Sequence, residues 1–304
     1  MKGQIEQANK KKINPRLKRN LYSWLLILPL IIVMYLCVWR PTVMSGIWSF
    51  FKMKGYSPTE FIGFRNYYEV ISDTQFIPTL LNTLKYIFWS FVVGFVPPII
   101  IAVMINEIIH FKSLFKIFTY LPAVIPGVAA YLIWYFVYMP DASGLMNMLF
   151  TKMGLDPYVW LNDEKYTILY ITISSTWHAF PGTMVLYLSA LQSVKVELYE
   201  AAAIDGAGML GRLRHVTLPQ ISGTLLLTFV NQIIGVFQTM EQPLTMTGGG
   251  PNNASTTVGL LLYKYGFVNG RAGHAMALGV IIFLILIVVT SFYFYLNKKV
   301  ERNL

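Results

Sequence analysis

Residues Glu197–Pro219 read ELYEAAAIDGAGMLGRLRHVTLP and form a polar island between two long apolar segments. A lipid bilayer excludes such a segment, because apolar neighbours could not offset the cost of burying so many charges in hydrocarbon. We therefore expect it in water, beside a membrane. Its titratable side chains are Glu197, Glu200, Asp205, Arg212, Arg214 and His215.

The first half of this island predicts a short helix followed by a turn. Strong helix formers dominate from Leu198 to Ile204, and Gly206 stands where helices often end in a left-handed residue. Small side chains and one carboxylate share a face, which favours docking into a groove on another protein. That face consists of Leu198, Ala201, Ala202 and Asp205.

The composition is that of a polytopic, all-α membrane protein. Of 304 residues, 55% are hydrophobic and only 12% are charged, against about 25% charged in soluble domains. Windows of about 20 apolar residues predict six transmembrane helices, which with the loops between them form a permease domain over 21–297. The predicted spans are about 21–45, 83–107, 115–139, 166–190, 220–244 and 274–296.

Charge distribution predicts the topology. Lys and Arg are concentrated in the tail 1–20, the turn 108–114, the loop 195–219 and the tail 298–304. Because such residues accumulate in cytoplasmic segments, both termini are predicted to be cytoplasmic. The net charge of +10 then reflects topology and contact with membrane lipid, and no motif for nucleic-acid binding accompanies it.

The fifth predicted span is the most polar. Asn231, Gln238 and either Glu241 or Gln242 follow one stripe of a helix. Amides and a carboxylate near an aromatic such as Trp177 suit a sugar, which presents hydroxyls and an apolar ring face. The same groups could instead hold helices together. His178 is expected to bond a backbone carbonyl, and prolines such as Pro126 to bend their spans, as moving or static kinks.

Two further motifs accompany the island. Residues 62–68 read IGFRNYY, and Tyr67 and Tyr68 favour an interfacial helix outside the membrane within 46–82. After the fifth span, residues 247–258 read TGGGPNNASTTV, and Gly248, Gly249, Gly250 and Pro251 predict a turn that re-enters or caps a cavity.

Together these motifs carry a family resemblance. The string EAAAIDGA at 200–207, followed by Leu218-Pro219, resembles the cytoplasmic EAA loop of ATP-binding-cassette (ABC) importer permeases. With ELYEAA, GFRNYY and TGGGP, the chain resembles their carbohydrate-uptake branch. In that family the loop is a coupling helix that fits a cleft on the ATPase. The resemblance assigns coupling to Glu197, Glu200, Ala201, Ala202, Asp205 and Gly206.

The resemblance implies a subunit of a prokaryotic plasma-membrane importer that works by alternating access. Its partners would be a second, homologous permease subunit, two ATPase subunits, an extracellular solute-binding protein and the sugar. ATP and magnesium would be bound by the ATPase, and this chain would bind no cofactor. The sugar itself, and whether this subunit or its mate contacts it, stay open.

Two other functional classes are less well supported by the sequence. A self-sufficient ion-coupled transporter needs carboxylates within the membrane, and only Glu107 and Glu241 are candidates. A membrane enzyme is also less well supported, because this sequence contains no recognisable catalytic set of side chains. Cys37 is the single cysteine, and no metal-binding spacing of His, Cys or acidic residues is present, so no metal site is predicted.

Overall fold

The computed structural model describes the backbone of residues 15–107 and 112–301, and the side chains of 23–106, 114–115 and 117–299. Most of the predicted basic tail 1–20, the turn at 108–111 and the end of the tail 298–304 lie outside these residues. So does the side chain of Glu107, one of the two carboxylates considered for ion coupling.

Within the described residues the chain is mostly helical, as predicted. Four π-helical segments join neighbouring helices: Tyr35–Trp39, Ser90–Phe95, Leu213–Thr217 and Lys264–Val268. The α-helices are α1 (Pro15–Met34), α2 (Arg40–Trp48), α3 (Arg65–Ile71), α4 (Phe76–Trp89), α5 (Val96–Glu107), α6 (Lys112–Val124), α7 (Gly127–Val137), α8 (Leu145–Lys152), α9 (Thr167–Gln192), α10 (Val196–Ile204), α11 (Met209–Arg212), α12 (Leu218–Gln220), α13 (Ser222–Gln238), α14 (Glu241–Thr247), α15 (Val258–Tyr263) and α16 (Ala272–Glu301).

Three helical stretches in the described part are long and apolar enough to cross a membrane: Ser23–Trp48, Phe76–Asn106 and Ala272–Lys299. Two bent pairs raise the number to five if each pair is one span. Helix α9 has 26 residues and would be about 39 Å long, but it is not among them. The six spans and the cytoplasmic termini therefore stay predictions.

The two bends fall where the sequence interrupts helix bonding. Helices α6 and α7 meet at 101°, at Pro126, which lacks an N–H. His178 Nε2 donates to the Ile125 carbonyl oxygen at this break, over 2.9 Å. The predicted bond from His178 to a backbone carbonyl is confirmed. The second bend, of 72°, separates Met209–Gln220 from α13.

The segment 46–82 departs from the all-helical prediction. Strands β1 (Phe51–Lys54) and β2 (Ser57–Phe61) form an antiparallel hairpin, and the predicted interfacial helix is confined to α3 (Arg65–Ile71). The buried Asn66 side chain donates to the carbonyl oxygens of Ser49 and Phe51, at 2.7 and 2.9 Å. These long-range bonds stabilise a hairpin that local helix signals do not reveal.

The core consists of three apolar clusters, arranged along α9 and α16. One cluster packs α16 against α15 and α4, and a second joins α7, the Trp160 region and the first half of α9. The third packs α5 and the second half of α9 around Ile221, next to Tyr199 of α10. This third cluster connects the polar island to α5 and α9.

Candidate functional site

Helix α10 begins and ends where its local sequence predicts. Lys195 precedes it in an extended conformation, and Asp205 caps its end. Gly206 follows with φ +78°. The Gly206 N–H donates to the Ala203 carbonyl at 3.1 Å, and the Ala207 N–H donates to the Ala202 carbonyl at 2.9 Å. This pair of bonds is the Schellman motif that a glycine at this position favours.

A narrow face holds α10 to the rest of the protein. Tyr199 packs against the third core cluster, and its hydroxyl lies 3.1 Å from Thr217 Oγ1. Ala202, one helical turn later, is half-buried. Of the predicted docking face, Ala202 is therefore the least exposed member, and its role in docking stays a prediction. Leu198, Ala201 and Asp205 are exposed, as are Glu197, Glu200 and Gly206.

The same loop exposes large apolar side chains that the sequence analysis did not select. Ile204 is 86% exposed, Leu210 is 79% exposed and Met209 is 60% exposed. Isolated exposed apolar residues are ordinary, but several on one short polar loop indicate a contact surface. The available signal was the presence of these residues in a segment too charged to enter lipid.

A cavity of about 380 Å³ lies between α9, α13 and the π-helical segment Ser90–Phe95. Asn231 and Gln242, both predicted substrate residues, are part of its lining. Hydroxyl groups of α9 face them. The lining is Ser90, Gly94, Thr172, Ser175, Thr176, Ala179, Phe180, Thr183, Leu186, Thr228, Asn231, Gln232, Gly235, Val236, Thr239 and Gln242.

A second cavity, of about 510 Å³, adjoins the first at Gly235, Thr239 and Gln242. It contains the other two predicted residues of the polar stripe, Gln238 and Glu241. Aromatic rings of Tyr263 and Phe267 complete one wall and stack on each other, with centroids 5.3 Å apart. Its remaining lining is Met240, Gly259 and Leu262.

The polar stripe divides into two functional groups. Gln232 Nε2 donates to the Ser90 carbonyl at 2.7 Å, and Gln242 Nε2 donates to Tyr131 Oη at 2.9 Å. These amides hold helices together. By contrast, the side chains of Asn231, Gln238 and Glu241 are exposed and make no hydrogen bond or ion pair with any residue that the structure describes. They are free to bind a ligand.

Trp177 does not join these residues. It contacts Trp134 of α7, with ring centroids 5.8 Å apart, and it lines neither cavity. Neighbouring positions on a helix point about 100° apart, so Thr176 can face the cavity while Trp177 faces α7. The prediction that groups Trp177 with the polar stripe is therefore wrong in geometry.

The hydroxyl face of α9 was not predicted from the sequence. Thr172, Ser175, Thr176 and Thr183 all line the first cavity. Their helical spacing places them on one face, so periodicity within the fourth predicted span could have found them. Gly94 was also missed: a Cβ there would lie 2.5 Å from Gln232 Nε2, so glycine is needed for the bond to Ser90.

The glycine-rich loop at 247–257, predicted to be external, lies beside these cavities but does not line them. Asn82 Nδ2 donates to the Asn253 carbonyl at 2.9 Å, and Tyr86 Oη donates to the Ser255 carbonyl at 3.2 Å. Thr257 Oγ1 donates to the carbonyl of Thr239, between α13 and α14. Gly248, Gly249, Gly250 and Pro251 therefore belong to a loop anchored on α4 and α13, not to a turn that enters a cavity.

Comparison with known protein families gives a match over residues 19–302, to the family described as the binding-protein-dependent transport system inner membrane component. The chain belongs to this family. It is therefore a membrane transport subunit and not a self-contained enzyme. Family membership also favours a permease that works with ABC partners over an ion-coupled transporter.

Individual relatives agree with this assignment. The probable ABC transporter permease protein YurN of Bacillus subtilis is 31% identical over 84% of this chain and 88% of its own length. The arabinooligosaccharides transport system permease protein AraP of the same organism is 28% identical over 76% of this chain and 74% of its own. A crystal structure of a bacterial ABC transporter that imports the acidic polysaccharide alginate superposes with TM-score 0.83 at 25% identity, covering 93% of this chain and 97% of the other.

Proposed function

We propose that this chain is one of two permease subunits of an ATP-driven importer that takes up a saccharide. In this proposal six helices cross the plasma membrane of a prokaryote and both termini are cytoplasmic. Helix α9 is the fourth span, and its hydroxyl face lines the path of the substrate. The family assignment and the names of the relatives support the proposal, since AraP is named for arabinooligosaccharides and the solved importer for alginate.

The proposed assembly contains a homologous permease subunit, two ATPase subunits that bind ATP and magnesium, and an extracellular binding protein that delivers the sugar. The chain itself supplies no nucleotide site. The string GAGMLG at 206–211 resembles a dinucleotide motif, but α10 precedes it where that motif requires a strand.

The ATPase contact is assigned to the exposed surface of 196–212. Its charge comes from Glu197, Glu200 and Asp205, and Ala201 supplies a small side chain. Gly206 allows the chain to reverse direction. Ile204, Met209 and Leu210 add the apolar area that a protein interface buries. Ala202 supports this surface from the inner side, together with Tyr199.

The saccharide contact is assigned to Asn231, Gln238 and Glu241. Gln242 and Gln232 position the helices around them. Amide and carboxylate groups can donate to and accept from sugar hydroxyls, and Tyr263 and Phe267 can cover an apolar ring face.

The observation that carries the proposal is the continuity between the two sites. Met209–Gln220 and α13 form one helical segment bent by 72° at Ile221, with the exposed loop at one end and the unpaired polar groups at the other. Ile221 and Tyr199 both pack on the third core cluster. Movement of α10 with a closing ATPase would therefore shift α13. A partner biases such an equilibrium only if it binds the two states unequally, as an ATPase that opens and closes does.

Substitutions on the exposed side of α10 test this proposal. Gly206→Asp and Glu200→Arg alter charge on a surface that packs against no described residue, so membrane insertion is retained. We expect uptake to fall by about tenfold or more, as the loss of about 1.4 kcal/mol of coupling requires. Uptake of labelled maltotriose, arabinotriose and raffinose is measured in cells that express the full transport system, with membrane levels followed by immunoblot.

Gly208→Ala is the matched control. Gly208 has a φ of −66° and a Cβ there would meet nothing within 4 Å, so alanine changes neither conformation nor charge. Uptake close to that of the unmodified protein in both Gly206→Asp and Glu200→Arg would refute the assignment of this surface to coupling.

A further inference from the structure

The first cavity contains polar groups but no ionisable side chain. Its lining among the described residues consists of hydroxyls, amides and apolar groups, with no Lys, Arg, His, Asp or Glu. Thr172 Oγ1 and Ser175 Oγ donate to backbone carbonyls of their own helix, at 2.7 and 2.8 Å. These hydroxyl oxygens can still accept hydrogen bonds from a ligand.

The adjoining cavity has one acidic side chain in its lining. Glu241 is the one Asp or Glu in its lining, and no cation accompanies it there among the described side chains. Lys264 is near in sequence to this wall, but its ammonium lies against Gly249 of the external loop, where a Cβ would be 2.9 Å from Nζ. The two cavities together therefore present hydroxyls, amides and one carboxylate.

The fold does place cations elsewhere. An external cavity of about 360 Å³ between the hairpin, α3 and the start of α16 contains both signs of charge. Its charged and titratable residues are Lys52, Glu60, Arg65, Glu69, Arg271 and His274. The lack of cations in the lining around α13 is thus specific to that region of the described chain.

These linings determine which saccharides can bind. A uronate or sulfonate group would lose hydration on entering and would find no cation in compensation, which is costly for an ion. The Glu241 carboxylate would add repulsion between like charges. The hydroxyls of a neutral saccharide can form hydrogen bonds with the hydroxyl, amide and carboxylate groups of these linings.

We propose that the saccharide handled by this chain is uncharged and that the cavities select against acidic saccharides. This inference rests on the proposed function, because it concerns the same site. It also separates this chain from the importer that shares its fold and whose named substrate is the acidic polysaccharide alginate.

Ligand-detected NMR on the full-length chain in lipid nanodiscs tests the inference, because saturation transfer reports weak binding. The neutral probes are maltotriose, arabinotriose and raffinose, and the acidic probes are trigalacturonate and trimannuronate. We expect at least one neutral probe to bind about tenfold more tightly than either acidic probe. Equal or tighter binding of an acidic probe would overturn the inference while leaving saccharide transport intact.

Charge substitutions provide the second arm. Gln238→Lys places a cation in the second cavity and Asn231→Lys places one in the first, so either variant should gain binding of trigalacturonate by about tenfold. Glu241→Gln removes the repulsion and should give a smaller gain. Two independent lysine positions keep the test informative if one variant does not fold.

Asn162→Lys is the control, because Asn162 is exposed on the loop before α9 and lines neither cavity. If Asn162→Lys gains acidic binding as much as Gln238→Lys does, the effect is general electrostatic attraction and the inference fails. If no probe of either kind binds the unmodified chain, the assignment of these cavities to a saccharide fails together with the inference.

Discussion

The loop at 195–219 and the loop at 247–257 both interrupt apolar helices with polar residues, yet they differ in how they are held. The loop at 247–257 is bonded to α4 through Asn82 and Tyr86 and to the end of α13 through Thr257, and Ser255, Thr256 and Thr257 are fully buried. The loop at 195–219 is held by Tyr199, Val216 and Thr217, and its α10 has no buried residue.

This difference distinguishes polar residues that stabilise the fold from polar residues that are exposed and available to a partner protein. Buried polar groups must be paired within the fold, so the loop at 247–257 is part of the scaffold. A segment attached by one narrow face leaves the rest of its surface for another protein. Both loops are polar, although only the loop at 195–219 carries charged side chains, so polarity alone does not separate these roles.

The largest expected difference between the two loops comes from replacing one glycine in each loop by alanine. Gly249 has φ +93°, and a Cβ there would clash with Thr256 Oγ1, which itself donates to the Gly249 carbonyl. We expect Gly249→Ala to destabilise the protein by on the order of 2 to 4 kcal/mol, from left-handed strain plus overpacking. Thermal unfolding in nanodiscs, followed by tryptophan fluorescence, measures the effect.

Gly206→Ala is its counterpart, since Gly206 has φ +78° but a Cβ there would meet nothing within 4 Å. Only strain applies, and we expect about 1 kcal/mol. Equal loss of stability in Gly206→Ala and Gly249→Ala would contradict the distinction between the two loops.

A smaller contrast is expected from removing one polar anchor in each loop. Asn82→Ala removes the amide donor from the buried Thr256 carbonyl, at a cost of about 1 to 3 kcal/mol. The part-buried Asn253 carbonyl loses the same donor but keeps the Thr256 N–H. Tyr199→Phe removes only a partly buried hydroxyl contact with Thr217, at a cost of about 0.5 to 1.5 kcal/mol. If Tyr199→Phe proves the more destabilising, the loop at 195–219 is more firmly integrated into the fold than its exposure indicates.

The smallest expected effect is a loss of thermal stability at low pH. Burial raises the pKa of Asp73, but bonds from the Gln75 N–H and Tyr265 Oη, with the nearby Arg271 guanidinium, lower it below its ordinary value overall. A lowered pKa gives stability that is present above the ordinary carboxyl pKa, about 3.9, and is lost as pH falls through the folded value. We expect unmodified protein to lose thermal stability below about pH 4.

Asp73→Asn should remove part of this dependence on pH, because the ion pair with Arg271 is already absent. Asp156→Asn, at an exposed position on the loop between α8 and α9, is the matched control and should leave the acid profile unchanged. An unaltered profile in Asp73→Asn would show that the contact between this residue and Tyr265 contributes little.

Much of the architecture could be predicted from local patterns. Apolar runs indicated membrane helices, and helix formers followed by Gly206 predicted α10 and its end within about two residues of the observed bounds. The hairpin could not be predicted in the same way, because it depends on Asn66 bonding to residues 15 and 17 positions earlier. The cavity was only partly predicted, since Trp177 faces α7 and the α9 hydroxyls were overlooked.

The amino-acid sequence by itself determined that this is a helical membrane protein with a water-facing segment at 195–219, because hydrophobicity, charge and helix termination act over a few neighbouring residues. Only the tertiary structure decided which polar groups are paired and which are free. Gln232 and Asn231 are adjacent amides with the same chemistry, yet one meets the Ser90 carbonyl while the other faces a cavity. The reason is that pairing depends on which helix lies opposite, and that arrangement is set by packing across the whole molecule.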